Sequence, residues 1–340
     1  MKKSLTKRYI RHFAAKRPRM AQVTNLMRYL FFSNFKSSLV NIKRFKPVHS
    51  GIIITQKCNL KCEFCVYGIP DRDLQSKAEV TMEEFKEMIH HPLFRGSIKF
   101  ALHGGEPLLH KHFFDFVDIS SNLRFFTTTT TNGVLIDAFL KDIVRSPLNS
   151  ITVSLYDSHL PRQLENLEKL LRERDKARLA VNITRIVNNA DFLDMERFIK
   201  LGIELRVDGL MFQNTLPYKT KKDVCIFDDN SEYIEFSGAL REKYKDRLDV
   251  TFPILCSRSD KNRKCRQPME LISVNHRGEI SPCCKMVFYS KSKYGNLSNE
   301  NAWNNSNYRH LRSTLLDNNF DLVGDCECCY FLSNNIYGLR

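Results

Sequence analysis

Short apolar runs alternate with amphipathic stretches from about residue 51 to residue 212. The apolar runs are rich in β-branched and aromatic residues, which is typical of buried strands. They predict six strands, at 51–55, 97–102, 124–130, 150–155, 179–186 and 205–212. Between them, stretches such as 82–91 and 160–175 carry apolar residues at helical spacing, and Thr81 with Glu84 predicts a capping box. Repeats of this kind predict a parallel sheet with right-handed crossovers, closed or partly closed as a barrel.

The pattern changes after residue 212. A polar stretch at 213–229 is followed by one more predicted helix, at 231–246, and a strand at 248–252. From Cys256 onward the sequence is irregular and rich in Asn and Cys, with a hairpin-like unit at 272–280 that turns at Arg277-Gly278. We therefore expect an extension at 1–50, an α/β core at 51–250 and a small cysteine-rich domain at 251–340.

Eleven cysteines are unevenly distributed along the chain. Three lie at 58–65 and six lie between 265 and 329, whereas Cys225 and Cys256 stand apart. The first 20 residues lack the apolar core of a secretory signal, and no apolar run reaches the roughly 18 residues of a membrane span. Such a chain is expected in the cytoplasm, where grouped thiols indicate metal ligation rather than disulfides.

The strongest motif places Cys58, Cys62 and Cys65 on one short loop, here called the cysteine loop, directly after the first predicted strand. Three thiolates at this spacing can hold three irons of a cubane cluster and leave the fourth iron open for a small chelate. The alternative is a zinc site, which needs a fourth protein ligand; His103 is the nearest candidate.

A second motif, Gly104-Gly105-Glu106-Pro107, ends the second predicted strand. Two glycines let the backbone approach a ligand, and Glu106 offers a carboxylate to an ammonium group. Alone, Gly-Gly followed by Pro is usually just a turn. Because the motif here lies one strand after the cysteine loop, it supports a ligand site at the carboxyl ends of the strands.

These two motifs together resemble the radical S-adenosylmethionine (SAM) superfamily. The resemblance implies a partial (β/α)6 TIM-like barrel, with a [4Fe–4S] cluster on the cysteine loop that binds the SAM amine and carboxylate at its open iron. The reduced cluster would cleave SAM to methionine and a 5'-deoxyadenosyl radical, which abstracts a substrate hydrogen. It also implies that Gly104, Gly105 and Glu106 form the SAM amine site, and that an electron donor such as flavodoxin or ferredoxin reduces the cluster.

Three further strand ends match positions that contact SAM in similar proteins. Thr131-Asn132-Gly133 ends the third strand, Ser154 ends the fourth, and Arg185 with Asn188 ends the fifth. Of these, Ser154 and Arg185 are the predicted contacts to the SAM ribose and carboxylate. Phe64 matches the family position that packs near adenine. For the strand ends, the alternative is an ordinary strand terminus.

A third group of cysteines lies towards the end of the chain. It resembles the SPASM/Twitch extension of peptide-maturing radical SAM enzymes and related dehydrogenases, and it covers about 256–335. The resemblance implies one auxiliary [4Fe–4S] cluster, because the Cys-x2-Cys-x5-Cys-x3-Cys stretch of the full SPASM form is absent. The implied ligands are Cys265, Cys283, Cys326 and Cys329, with Cys284 and Cys328 as alternates. The alternative is a structural zinc site of four cysteines.

The N-terminal segment is strongly basic. Residues 1–50 hold 13 of the 53 Lys and Arg residues and none of the 38 Asp and Glu residues. An apolar stripe at helical spacing lies beside basic side chains; it consists of Val23, Leu26, Met27, Leu30 and Phe31, with Arg19, Arg28 and Lys36 alongside. Such a helix either contacts an anionic membrane or an acidic partner, or docks on its own domain. A basic tail alone does not indicate nucleic-acid binding.

The resemblance leads us to predict modification of a peptide or protein precursor. No winged-helix peptide-binding domain is evident in the first 50 residues, so dehydrogenation or epimerisation of a small metabolite such as a sugar or alcohol stays open. A non-enzymatic binding module stapled by zinc is the remaining alternative. Cys225 is a candidate donor that returns a hydrogen atom to the substrate, as in radical SAM epimerases, or else a small buried hydrophobe.

Overall fold

The computed structural model describes residues 15, 18–32, 46–62, 65, 79–215, 224–256, 265, 267–283 and 294–316. Its strands are β1 (His49–Thr55), β2 (Lys99–Gly104), β3 (Phe126–Thr131), β4 (Ser150–Ser154), β5 (Ala180–Val187), β6 (Gly209–Asn214), β7 (Val250–Thr251), β8 (Leu271–Val274) and β9 (Ile280–Ser281). Its helices are α1 (Met20–Phe32), α2 (Met82–His90), α3 (Phe113–Asn122), α4 (Leu140–Arg145), α5 (Leu160–Glu173), α6 (Met195–Glu204), α7 (Ser231–Tyr244), α8 (Gln267–Glu270) and α9 (Ser306–Leu316).

The described strands form one sheet in the order β7-β6-β5-β4-β3-β2-β1-β8-β9. Strands β1 to β6 are parallel and adjacent in chain order, with a helix in each connection. This confirms the predicted partial (β/α)6 barrel. The carboxyl ends of all six strands therefore lie at one edge of the sheet, where ligands bind in folds of this type.

Alternate strand positions face two different environments. The outer face packs against the helices and is apolar, with Ile52, Leu102, Ile151 and Ile183 fully buried in the main core. The inner face is mixed: it carries the apolar Ile53 and Phe126, and many of its other side chains are small or polar, including His49, Ala101, His103, Thr128, Thr152, Asn182 and Thr184. The barrel therefore has a largely apolar outer layer and an interior with many hydrogen-bonding groups.

Local signals explain most element ends. In the capping box before α2, Glu84 N donates to Thr81 Oγ1 at 3.2 Å and Thr81 N donates to Glu84 Oε2 at 2.7 Å, as predicted. The sixth strand begins at Gly209 rather than at the predicted residue 205. There α6 closes through hydrogen bonds from Arg206 N to Ile203 O and from Val207 N to Gly202 O, with Arg206 at φ 56°. This helix termination occupies the start of the predicted strand.

Helix α1 docks on its own domain through polar side chains. Gln22 Nε2 donates to Ser97 O at 2.8 Å and to Arg124 O at 3.2 Å. Each carbonyl lies two residues before a strand, so α1 lies at the amino-terminal end of the sheet, opposite the cysteine loop. The helix thus docks on its own domain, and its predicted contact with a membrane or an acidic partner stays a prediction. Among the described residues, no helix combines the length and apolarity needed to cross a bilayer.

The C-terminal region joins the barrel sheet directly. The predicted hairpin is present as antiparallel β8 and β9, and Gly278 adopts φ 74° in the turn between them. Strand β8 also pairs in parallel with β1, which the sequence did not predict. Ser273 of β8 approaches His103 of β2 across the inner face, with 3.2 Å between Oγ and Nε2. The two regions thus share one continuous sheet.

Candidate functional site

The cysteine loop begins where β1 ends. Cys58 is exposed, whereas Cys62 and Cys65 are half-buried. Cys65 N donates a main-chain hydrogen bond to Cys62 O at 3.0 Å. Leu60 N donates to Cys58 Sγ at 3.4 Å, so one thiol already accepts a main-chain donor.

The two glycines of Gly104-Gly105 allow β2 to contact the start of the cysteine loop. A Cβ atom on Gly104 would collide with Thr55 O, and one on Gly105 would collide with Lys57 O. The segments are joined by hydrogen bonds from Gly105 N to Thr55 O at 2.9 Å and from Glu106 N to Lys57 O at 2.8 Å. The close approach expected toward a ligand is, in this structure, an approach to the protein's own main chain.

Glu106 is fully buried and joins the ends of β2 and β3. Its carboxylate accepts hydrogen bonds from Leu108 N at 3.1 Å, Thr131 Oγ1 at 2.8 Å and Asn132 N at 2.7 Å. Burial raises the pKa of Glu106, and the three donors oppose that shift. Its contact with the SAM amine stays a prediction, since the described partners of the carboxylate are protein groups.

Asn132 contacts the cysteine loop directly. Its Nδ2 donates to Asn59 Oδ1 at 2.7 Å and lies 3.9 Å from Cys58 Sγ, within hydrogen-bonding distance of sulfur. Its Oδ1 accepts from Val134 N at 3.0 Å, which fixes the amide orientation. Donors to ligand sulfurs tune iron–sulfur clusters. The sequence analysis placed this residue at a strand end but did not predict its contact with a thiol.

The three thiols lie close enough to affect one another's ionisation. Burial, followed by the charges of the Cys65 and Cys58 thiolates, raises the pKa of Cys62 to about 11. A cationic metal cluster reverses this situation, because ligation deprotonates thiols. With two hydrogen-bond donors already on Cys58, the loop fits an iron–sulfur cluster on three thiolates.

The zinc alternative has less support. Among the described residues, no three or more His, Cys, Asp and Glu side chains are arranged to hold one metal ion. A cubane does not require such an arrangement, since each of its cysteines binds a separate iron. His103, the proposed fourth zinc ligand, lies inside the barrel against Ser273, and burial lowers its pKa to about 4.

Tyr156 follows β4 and is a site residue that the sequence analysis did not select. Burial raises its pKa, and the thiolates of Cys62, Cys65 and Cys58 raise it further, which places the phenol near the cysteine loop. Its hydroxyl hydrogen-bonds the side chain of Ser154. Ser154 is therefore connected to the site through Tyr156, and its SAM contact stays a prediction.

Arg185 lies on the outer, helical side of β5. Its guanidinium carbon is 4.4 Å from the centre of the Phe198 ring on α6, and Nη2 pairs with the Asp157 carboxylate. These contacts with Phe198 and Asp157 explain why Arg185 is buried. Its predicted SAM contact stays a prediction. Phe64, predicted near adenine, lies outside the described residues.

Cys225 and Cys256, which stand apart in the sequence, come together at the carboxyl end of β6. The two thiols hydrogen-bond each other, and this contact lowers the pKa of Cys225. Cys225 Sγ also donates to Thr215 O at 3.2 Å, and Asn214 Nδ2 lies 3.8 Å from Cys256 Sγ. Both cysteines are buried. The hydrogen-donor role of Cys225 stays a prediction.

The auxiliary site is described in part. Cys265 is half-buried and Cys283, after β9, is buried, whereas Cys284, Cys326, Cys328 and Cys329 lie outside the described residues. The Cys283 thiolate lies close enough to Tyr308 to raise the pKa of that phenol, after the larger effect of burial. The Tyr308 hydroxyl is buried without a hydrogen-bond partner among the described residues. A cluster on Cys283 would offer sulfur acceptors to such a donor.

Family comparisons agree with these two groups of cysteines. A model of the radical SAM superfamily matches residues 52–159, and one of an iron–sulfur cluster-binding domain, SPASM, matches residues 265–330. A GTP 3',8-cyclase from Peptoclostridium acidaminophilum is 30% identical over 185 residues, covering 50% of this chain and 55% of that protein. The chain thus spans about half the length of the curated relatives it matches.

Two solved structures share the fold. Streptococcus suis SuiB bound to the precursor peptide SuiA has a TM-score of 0.63 at 16% identity, covering 79% of this chain and 67% of that one. Native anSMEcpe with bound AdoMet and the Cp18Cys peptide has a TM-score of 0.58 at 18% identity, covering 84% of this chain and 87% of that one. At these identities the likeness concerns the fold, which here includes most of the chain.

Proposed function

The chain belongs to the radical SAM superfamily of enzymes and carries a C-terminal SPASM iron–sulfur domain, and on this premise we propose that it modifies a peptide or protein precursor. Superfamily membership implies a SAM-binding [4Fe–4S] cluster and SAM, and the SPASM domain implies auxiliary iron–sulfur ligation. When bound, these cofactors supply reductive SAM cleavage and hydrogen abstraction from a substrate.

Residues at the carboxyl end of β1 to β4 carry this proposal. Cys58, Cys62 and Cys65 would hold the SAM-binding cluster. Asn132 donates to Cys58, and Glu106 fixes the Asn132 main chain, so protein contacts orient the ligand loop. Tyr156 places a half-buried aromatic ring beside the thiols, where it would exclude water from the reacting groups.

The hydroxyl and amide side chains on the inner face of the barrel are the observation that favours a peptide. Inward positions along β3 to β6 present hydroxyl and amide groups, which suit the amide groups of a peptide; they include Thr128, Thr152, Ser154, Asn182, Thr184 and Gln213. Burial lowers the pKa of His49 to about 3 and that of His103 to about 4, so both imidazoles are neutral near pH 7.

A nucleoside triphosphate fits this interior less well. Among the described inward positions of β1 to β6, Lys99 is the one cationic side chain, and it lies at the amino end of β2. Triphosphates are normally bound by several Lys and Arg side chains. The match to a GTP 3',8-cyclase over half of the chain keeps a small metabolite as the second candidate.

The two solved structures support the first candidate, because both hold peptides and their likeness covers 79% and 84% of this chain. The proposal also includes a low-potential electron donor such as flavodoxin or ferredoxin. Thiolate ligation at both cysteine groups requires a reducing compartment, so we place the enzyme in the cytoplasm.

Deuterium transfer tests the substrate class and does not require that the substrate be identified first. Extract from source cells grown in deuterated medium, which keeps both its polypeptides and its small molecules, is added to anaerobic holoenzyme with unlabelled SAM and dithionite. We expect 5'-deoxyadenosine that gains one deuterium, and we expect that gain to disappear when the extract is first digested with a non-specific protease. Mass spectrometry of the nucleoside measures both.

Two outcomes contradict the peptide proposal. Deuterium transfer that survives protease treatment points to a small metabolite, and protiated GTP that suppresses it by competition points to a nucleotide. Extract from cells grown in ordinary water is the control for exchange with solvent. Unlabelled 5'-deoxyadenosine in every arm would show SAM cleavage without any substrate from these cells and would also count against the proposal.

A further inference from the structure

Helix α1 has the reverse of the usual surface-helix pattern. Its inward side is largely polar, with Gln22, Asn25 and Tyr29 no more than 6% exposed, and Leu26 is its half-buried apolar contact with the core. Its outward side is apolar, with Met20, which is 77% exposed, and Phe31, which is 62% exposed. A helix that only covers its own domain normally buries its apolar side.

The polar contacts account for the docking without any help from the outward side. Asn25 Nδ2 donates to Gly96 O at 3.0 Å, and Lys46 N donates to Asn25 Oδ1 at 2.7 Å. Tyr29 donates its hydroxyl hydrogen bond to the Glu270 carboxylate of α8, which connects α1 to the C-terminal region. Since these contacts fix the helix, its exposed apolar side chains need another explanation.

The exposed apolar side chains form one stripe. Met20, Met27 and Phe31 are seven and four residues apart, which places them on one line along the helix, and Leu30 lies beside it. Met27 is 62% exposed and Leu30 is 42% exposed. Contiguous exposed apolar surface of this kind is uncommon on a protein that has no use for it.

Basic residues surround the stripe. Arg19 and Arg28 are exposed on either side of it. Arg95 is exposed on the turn Pro92–Gly96, which packs against α1. It lies close enough to Lys46 to lower the pKa of that ammonium, after the larger effect of burial. No acidic residue occurs in the first 50 positions, so α1 and the sequence on either side of it contribute only basic charge.

We propose that the outward face of α1 binds the surface of an anionic membrane. The Met20, Met27 and Phe31 side chains would enter the boundary between headgroups and acyl chains, and the surrounding cations would contact lipid phosphates. Because α1 covers the amino ends of the strands, the cysteine loop at their carboxyl ends faces away from the lipid. The site stays accessible to its substrate while the enzyme is bound.

Vesicle flotation of the anaerobic, full-length holoenzyme tests the proposal. Vesicles of phosphatidylcholine alone are compared with vesicles that also contain phosphatidylglycerol. We expect binding to the anionic vesicles to be at least about tenfold tighter, and to weaken as salt is added. The double variant Met27→Glu, Phe31→Glu should lose at least about tenfold of this affinity, since it inserts charge into the apolar stripe.

A matched variant separates the stripe from general effects of charge. The double variant Leu193→Glu, Ile234→Glu changes two exposed apolar side chains elsewhere, 56% and 50% exposed, and adds the same charge. It should bind anionic vesicles within about twofold of the parent. Thermal unfolding confirms that both variants are folded.

Three results would overturn the proposal. Equal binding to neutral and anionic vesicles would show that lipid charge does not contribute to binding. Vesicle binding by the Met27, Phe31 double variant that equals binding by the parent would show that the apolar stripe does not contribute. A dimer in light scattering that this variant converts to a monomer assigns the face to a second copy of the chain.

Discussion

In each cysteine-bearing region, one charged side chain of the described residues is completely inaccessible to solvent. In the barrel it is Glu106, which accepts three hydrogen bonds from groups at the carboxyl ends of β2 and β3. In the C-terminal region it is Arg312 of α9, which donates to Pro268 O at 2.9 Å and to Trp303 O at 2.8 Å. Both charges bind main-chain groups that would otherwise be buried without partners.

The surroundings of the two charges differ. Glu106 lies at the edge of a large apolar core supplied by the outer face of the sheet. The Arg312 guanidinium is itself the centre of a small core, with its carbon 4.3 Å from the centre of the Trp303 ring and 4.6 Å from that of Tyr308. The barrel can therefore fold on apolar burial, whereas the C-terminal region depends on one cation and on its metal site.

The largest effect should follow from replacing Arg312. Arg312→Met leaves the Pro268 and Trp303 carbonyls unpaired and should lower the free energy of unfolding of this region by about 2–4 kcal/mol. Hydrogen exchange in residues 294–316 should rise and auxiliary iron should be lost, while the barrel amides keep their protection.

Arg309→Met is the matched control for that variant. Arg309 lies on the same helix, is exposed and donates to Asn304 O at 2.7 Å. It removes the same charge and should change stability by less than about 0.5 kcal/mol. If Arg312→Met keeps its auxiliary iron and its protection against exchange, the role assigned to this cation is wrong.

A smaller effect is expected at Glu106. Glu106→Gln places an amide donor against groups that are themselves donors, and should cost about 1–3 kcal/mol of unfolding free energy. Because the carboxylate fixes the Asn132 main chain, SAM affinity should fall with stability. Titration calorimetry and thermal unfolding measure the two effects, with the exposed Glu83→Gln as control. An unchanged SAM affinity together with an unchanged unfolding temperature would contradict both roles.

The sequence predicted the barrel well because its signals are local and repeated. Apolar runs at the positions of β1 to β5 and the Thr81 capping box each have a direct physical meaning that later packing did not override. The start of β6 was misplaced because residues 205–208 read as apolar strand although the hydrogen bonds that end α6 occupy them.

Contacts distant in sequence could not be predicted in this way. The pairing of β8 with β1 brings together segments more than 200 residues apart in number, and the hairpin pattern alone does not specify its neighbour. The contact of Asn132 with Cys58 and the approach of Tyr156 to the thiols likewise depend on how loops from different strands meet. The polar docking side of α1 was unexpected because a stripe of apolar residues normally marks the buried face.

Reductive SAM cleavage by the variant Cys58→Ala, Cys62→Ala, Cys65→Ala tests the central claim most directly. Anaerobic holoenzyme with dithionite should form methionine and 5'-deoxyadenosine. The variant should lose this activity by about two orders of magnitude or more while it keeps its auxiliary iron. Cleavage retained by the variant, or a colourless parent protein that holds zinc instead of iron, would contradict the assignment of the SAM-binding cluster to the cysteine loop.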